Sequence, residues 1–414
     1  MNKSISFKQE LSQRLNKWFH LIANGTQPHH VRQMMAELEC TQSDIILDPF
    51  CGEGTTLIEA QLAGIKAYGF ELNPFLNFVN NTTTNWDINL KSLDRQLDIV
   101  IGKYRDRAKN ANLETLKQLN LSIPPINKPF SWWREDVLID LLILKQTIED
   151  STTCDKVRKL MSLALAAVLV PELSNTRIDE DLLFLTDRTD DKINVFESFS
   201  RKIAAMRKDL EQISGMGFTN YARCYLQDSM DLARPPLKDK ISCIITNPPY
   251  PARYSYAWTT MPHLYFFGYH TKPQEPADLD EKSVGGIWGS ATYKLVRGRV
   301  CAEHIAVEKH VTPIAETIRS RDNLAANHLI KYFNMIAEHL LAVENLPQKD
   351  LRIAYMLGSV EMAGIILETD QLLANIIEDM ELGYRISNIS NCGSYVESKP
   401  QLRQKIVYAW KNSV

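Results

Sequence analysis

Apolar residues recur at helical spacing through LSQRLNKWFHLI (11–22) and again through VRQMMAEL (31–38), with the turn-like NGTQP between them. That period, near 3.6 residues, predicts helices over most of residues 1–39. The pattern then changes. Asp44-Ile-Ile-Leu-Asp48 is a short β-branched run ending in an acid, PFCGEGTT follows it, LIEAQLAG returns to helical spacing, and AYGFELN reads as a strand ending at Glu71. Strand, glycine loop, helix and strand form the opening βαβ unit of a doubly wound sheet.

From Pro74 to Tyr225 the pattern contains no further clear strand, a gap too long for an ordinary crossover. Four helical patterns fill it: LKSLDRQLDIVIGKYRDRA, DVLIDLLILKQTIED, VRKLMSLALAAVLVPEL and FSRKIAAMRKDLEQI. Strand signals return in ARCYLQD, which ends at Asp228, and in ISCIITNPPY, whose apolar run ends at Asn247. An aromatic and basic segment comes next, from RYSYAWTTMPHLYFFGY through ATYKLVRGRV. Two helical runs, a late strand LRIAYMLGS, the helical ETDQLLANIIEDMELGY and a final apolar VYAW complete the chain. The expected fold class is α/β. Residues 1–83 carry the N-terminal helices and the first half of the sheet, 84–220 a helical insertion, and 221–414 the second half.

At 414 residues, 44% hydrophobic and 23% charged, the chain can bury a sizeable core and suits two domains or one enlarged domain. No run of about 18 apolar residues is long enough to span a membrane. The first fifteen residues lack the apolar core of a secretion signal, so a cytoplasmic protein is expected. Seven scattered cysteines form no C-x-x-C pair, which reads as reduced thiols with no metal site. The net charge of −3 is not that of a polycation, so any nucleic-acid contact requires a local basic face.

Gly52 and Gly54, at a strand end that opens a helix, allow a close ligand approach that a side chain would obstruct. Main-chain N–H groups there, with the Thr55 hydroxyl, suit an anionic group at a helix start. There is no third glycine at dinucleotide spacing and no P-loop lysine. Glu71, ending the next strand, is placed to take both hydroxyls of a ribose, and Asp228 to accept from an adenine amino group. The bland alternative is a turn with two acids acting as helix caps.

Thr246-Asn247-Pro248-Pro249-Tyr250 ends an apolar strand, and its two prolines stop the ladder and fix the chain direction. An exocyclic amine on a base is a poor nucleophile because its lone pair is delocalised into the ring. Two acceptors, the Asn247 side-chain oxygen and the Pro248 carbonyl, can take its two hydrogens, and those bonds strengthen as the nitrogen becomes cationic. Tyr250 offers a face on which a base lifted from a duplex can stack.

DPFCGEGTT, an acid on the next strand and then NPPY together resemble the amino-methyltransferase families acting on nucleic-acid bases. TNPPYPARYSYAWTTMPHLYFFG is most similar to the DNA methylases of the cytosine-N4 and adenine-N6 kind. The resemblance implies a seven-stranded Rossmann-like class I methyltransferase sheet carrying a large helical insertion, with S-adenosyl-L-methionine as cofactor. It implies a cofactor site at Asp48, Pro49, Phe50, Cys51, Gly52, Gly54, Thr55, Glu71, Leu72, Asn73, Asp228 and Ser229, with Thr26 to His30 near its methionine end. Asn247, Pro248, Pro249 and Tyr250 become the catalytic four. Asn247 is the residue usual for adenine, whereas the cytosine-N4 enzymes commonly carry Ser there, and the tyrosine-rich run after the tetrapeptide resembles the latter group.

The expected partner is double-stranded DNA, with a companion restriction endonuclease. Its candidate contacts lie within about 253–330: Arg253, Tyr254, Tyr256, Lys294, Arg297 and Arg299, followed by Arg319 and Arg321. KLVRGR reads equally well as a solvated loop. An RNA guanine-N2 methyltransferase is the first alternative, but about 40 residues precede Asp44, fewer than its usual RNA-binding domain needs. A catalytically idle subunit on the same scaffold is the second.

Overall fold

A computed structural model of the chain describes residues 2–21, 25–178, 182–185, 193–218, 222–233, 235–251, 255–287, 289–394 and 401–411. The chain divides into two compact units. One comprises residues 1–25, 78–220 and 259–275, the other 26–77, 221–258 and 276–414.

The second unit is built on seven strands: β1 (Ile45–Asp48), β2 (Lys66–Glu71), β3 (Ala222–Leu226), β4 (Ile241–Thr246), β5 (Gln348–Gly358), β6 (Tyr384–Ser394) and β7 (Arg403–Lys411). They lie in the order β6-β7-β5-β4-β1-β2-β3. The pairs β1–β2, β2–β3, β1–β4 and β4–β5 are parallel, whereas β7 runs antiparallel to both β5 and β6.

Helices α1 (Pro28–Glu37), α2 (Thr55–Leu62), α3 (Ser290–Arg297), α4 (Asn323–Val343) and α5 (Thr369–Asp379) belong to this unit. Ile46, Cys243, Ile245, Ala354 and Met356 share a core with Val31 and Met34 of α1 and Leu57 and Ala60 of α2. Their neighbours along the same strands, Leu47, Ile244, Ile353 and Tyr355, join the opposite core with α4 and α5. Because successive side chains point to opposite faces and both faces are covered, these strands read as unbroken apolar runs rather than alternating ones. At Gly69, in the middle of β2, an added Cβ would stand 2.6 Å from the Cys51 sulfur, so the loop after β1 packs into the space the glycine leaves.

The first unit holds helices Asn2–Leu15, Leu90–Ala108, Glu135–Ser151, Asp155–Leu169 and Val195–Ser214, matching the helical patterns of the sequence. Asp209, buried, accepts from Arg14 at 2.6 Å and from the Trp18 indole at 2.9 Å. The unit also contains a hairpin, Thr176–Ile178 paired with Leu182–Phe184, in a stretch that showed no strand in the sequence. Three residues a side are too few for a period to be read. Among the described residues no helix is long and apolar enough to cross a membrane.

Candidate active site

In an open parallel sheet, ligands bind beyond the carboxyl ends of the strands where the strand order reverses. Here that point lies between β1 and β4, whose last residues are Asp48 and Thr246. The Thr246 hydroxyl donates to Asp48 Oδ1 at 2.6 Å, the Phe50 amide donates to the same oxygen at 3.1 Å, and Thr56 adds a third donor. Burial nonetheless pushes the Asp48 carboxyl above its ordinary pKa. Asp48 thereby ties the glycine loop to the residue immediately before Asn247.

Within that loop Pro49 and Cys51 are buried and Phe50 partly so. Gly52 (φ +53°) and Gly54 (φ +85°) occupy the left-handed region that favours glycine, and Gly54 is the N-cap of α2, whose first residue is Thr55. A Cβ at Gly52 would meet no atom within 4 Å, so open space lies beside the loop. Glu71, partly buried at the end of β2, accepts from the amides of Gly52 and Asn73, each at 2.8 Å, with the Leu72 amide also facing it. Loss of solvation outweighs these donors and pushes its pKa up to about 7. The Asn73 side-chain oxygen caps the helix Pro74–Thr83, accepting from Phe75 and Leu76 at 3.0 and 3.3 Å. Asp228, two residues past β3, accepts from the Met230 amide at 2.9 Å and is likewise raised, chiefly by burial. Ser229 is buried.

At the end of β4, Pro248 and Tyr250 are buried and Asn247 and Pro249 partly so. Asn247 Oδ1 itself is shut off from solvent and has no hydrogen-bond partner among the described residues. The Tyr250 hydroxyl accepts from Gln404 Nε2 at 3.0 Å. Gly285 (φ +77°) backs the tetrapeptide: a Cβ there would lie 3.1 Å from the Tyr250 carbonyl oxygen and 3.8 Å from Pro249 Cβ. From α4, His328 Nε2 donates to the Gly285 carbonyl at 3.1 Å and Lys331 donates to that of Gly286 at 3.0 Å.

Arg253 and Tyr254 lie outside the described residues. Tyr256 opens the helix Tyr256–Phe266 and is partly buried. On α3 and just past it, Lys294, Arg297 and Arg299 are exposed, but Lys294 pairs with Glu281 and Arg299 with Glu316 at 2.8 Å. The Arg297 guanidinium stacks 4.2 Å above the exposed Tyr293 ring. Arg319 is bound to Glu316 at 3.1 Å, and Arg321 reaches the Ala363 carbonyl. In Thr26 to His30, His30 is buried, lies 4.0 Å from the His29 ring, and has its pKa pushed down to about 4 by burial and then by that neighbour.

Sequence reading missed His339 of α4. Its Nδ1 donates to the Ser229 carbonyl at 3.0 Å, its Nε2 accepts from the Tyr355 hydroxyl at 2.7 Å, and its ring meets Phe50 edge-on at 4.7 Å. Burial pushes its pKa to about 4, so it is neutral at pH 7, and its partners require the Nδ1–H tautomer. It therefore touches both the glycine loop and the loop after Asp228. Its stretch reads as an ordinary apolar helix.

Residues 20–77, containing β1, the glycine loop and β2, match the family model of the DNA methylases of the N6 and N4 kind. That match and the relatives below support an N4/N6 DNA methylase family. Its relatives include the type II methyltransferase M.BsoBI of Geobacillus stearothermophilus, 24% identical over 298 residues, covering 65% of this chain and 56% of that protein. M.MvaI of Kocuria varians is 24% identical over 263 residues, covering 60% and 56%. M.AvaI of Nostoc, also a type II methyltransferase, is 23% identical over an alignment of 461 residues covering 99% and 89%. The chain thus spans little more than half the length of the first two relatives.

Proposed function

We propose that the chain transfers a methyl group from S-adenosyl-L-methionine to the exocyclic amine of a base flipped out of double-stranded DNA, cytosine N4 or adenine N6, as the modification partner of a restriction endonuclease. One observation carries this reading. Asn247 Oδ1 is a buried acceptor without a partner among the described residues, at the strand switch point, beside a loop tied to it through Asp48 and Thr246. An unmet buried acceptor costs about 1–3 kcal/mol, and a ligand N–H arriving there removes that cost.

The second amine hydrogen goes to the Pro248 carbonyl. Both bonds strengthen as charge develops on nitrogen, so they stabilise the transition state more than the bound base. The Tyr250 ring takes the base on its face. No strong base is required, because the methylated amine sheds its extra proton readily.

The cofactor's fit rests on the open space beside Gly52, the Glu71 carboxylate held by backbone amides, and Asp228 just past the neighbouring strand β3. Glu71 would hold the ribose hydroxyls, Asp228 the adenine amine, and Gly52 to Thr55 the amino-acid end. When bound, the cofactor supplies the electrophilic methyl. The strand order with one reversed strand supports a Rossmann-like class I methyltransferase sheet, with residues 84–220 as its helical insertion. In this reading Tyr256 and Arg297 meet the DNA, while Lys294 and Arg299 stay engaged with Glu281 and Glu316. Unmethylated DNA incubated with the protein and labelled S-adenosylmethionine, then digested to nucleosides for mass spectrometry, tests it. N4-methylcytosine or N6-methyladenine is expected; C5-methylcytosine, or no label in DNA, would overturn it.

A further inference from the structure

Strand β7 runs antiparallel to β5, and the register pairs Gln404 with Gly358, the last residue of β5. This brings the start of β7 to the carboxyl edge of the parallel strands, where Tyr250 lies. Gln404 is buried there, and its Nε2 donates to the Tyr250 hydroxyl at 3.0 Å. Gly285 packs against the Tyr250 carbonyl from another direction. The backbone and the far end of the tyrosine are therefore held separately, which fixes the direction of the ring's long axis.

We infer that Gln404 is a positioning residue that sets where the Tyr250 ring, on which the target base stacks, lies relative to Asn247, an inference that rests on the methyltransferase reading above. A tyrosine ring swings about its first side-chain torsion and spins about its own long axis with the second. The hydroxyl, the atom farthest from the backbone, lies on that axis, so a bond there has the greatest leverage over the swing and fixes where the ring lies. Phe at position 250 would stack as well as Tyr but could not be held this way. A hydroxyl at that position is thus part of the alignment rather than part of the stack. The position of the ring decides whether the amine nitrogen reaches Asn247 Oδ1 and the Pro248 carbonyl together. Misalignment lowers the rate of the bound complex more than it weakens binding.

The test is a double-mutant cycle with Gln404→Leu and Tyr250→Phe, measuring kcat and KM for methyl transfer to unmethylated DNA, with S-adenosylhomocysteine affinity and Tm as controls for the fold. Each single variant should lower kcat about fivefold, the weight of one neutral hydrogen bond, with KM and S-adenosylhomocysteine affinity nearly unchanged. The double variant should be no worse than the weaker single one, because both remove the same bond. Multiplying effects, or an unchanged kcat in Gln404→Leu, would refute the positioning role while leaving wild-type methylation intact. A merely structural role would appear as parallel losses in Tm and S-adenosylhomocysteine affinity. A wild-type protein that methylates no DNA overturns the function itself, and the inference with it.

Discussion

Glu71 makes cofactor affinity depend on pH in a direction that can be worked out. Its carboxyl moves from an ordinary 4.5 to about 7 because lost solvation outweighs the amides that face it. In the free protein the protonated form is therefore favoured, and this group's contribution to stability falls as pH rises from about 4.5 to about 7. Ribose hydroxyls donating to the carboxylate favour the ionised form, so cofactor affinity should rise over the same window. At about one pH unit below 7 some nine-tenths of the carboxyls are protonated, and affinity should sit about tenfold under its plateau, or about 1.4 kcal/mol. Partial exposure of the side chain trims that figure. Glu71→Gln keeps the shape and removes the charge, but it also turns an NH₂ toward the amide of either Gly52 or Asn73. Losing one charge-assisted bond, worth about 1.5–3 kcal/mol, should weaken binding at pH 8 by about 10- to 150-fold and flatten the pH profile. Calorimetry of S-adenosylmethionine binding from about pH 6 to about pH 8, on both proteins, measures it. A flat wild-type profile, or the same slope in Glu71→Gln, would show that Glu71 does not hold the cofactor.

Asn247→Ala should leave S-adenosylmethionine affinity nearly unchanged and lower the methylation rate by about a hundredfold or more; single-turnover kinetics would read it, and an unimpaired rate would remove Asn247 from the chemistry. His339→Leu leaves the Ser229 carbonyl and the Tyr355 hydroxyl unmet and should raise KM for the cofactor more than KM for DNA; equal changes in the two would point to general loosening. Neutralising Lys294, Arg297 and Arg299 together should lower the slope of log DNA affinity against log salt by at most about 0.9 for each true phosphate contact. Because Lys294 and Arg299 already pair with Glu281 and Glu316, a total loss near one contact, carried by Arg297, is expected from titrations at several salt concentrations.

The elements flanking the site were legible because their causes are local. β1, β2 and β4 are apolar runs buried on both faces, the glycine loop needs left-handed backbone at positions 52 and 54, and the prolines end β4. β6 was invisible: YRISNISNCGS is an edge strand with bulges, much of it exposed, and its Asn, Ser and Gly carry no alternating pattern. The basic segment was legible as charge but not as paired charge, since Glu281 and Glu316 come from other turns of the chain. His339 and Gln404 escaped for a related reason. Each matters through long-range contacts, His339 with Phe50 and with Ser229 at 110 positions' remove, Gln404 with Tyr250 at 154, which no local spacing records.

The place of β7 in the sheet also orders events during synthesis. β6 pairs with β7 and with no other described strand, so when β6 emerges it has no neighbour, and the flank of β5 that β7 will cover is bare. A nascent chain at that stage already contains the glycine loop, Glu71, Asp228 and the tetrapeptide, and exposes an unpaired strand edge of the kind that templates aggregation. β7, made after β5 and β6, then enters between them instead of adding to the outside. Closing that gap and fastening the Tyr250 hydroxyl belong to one step, so the flank of β5 is covered as the tyrosine is held.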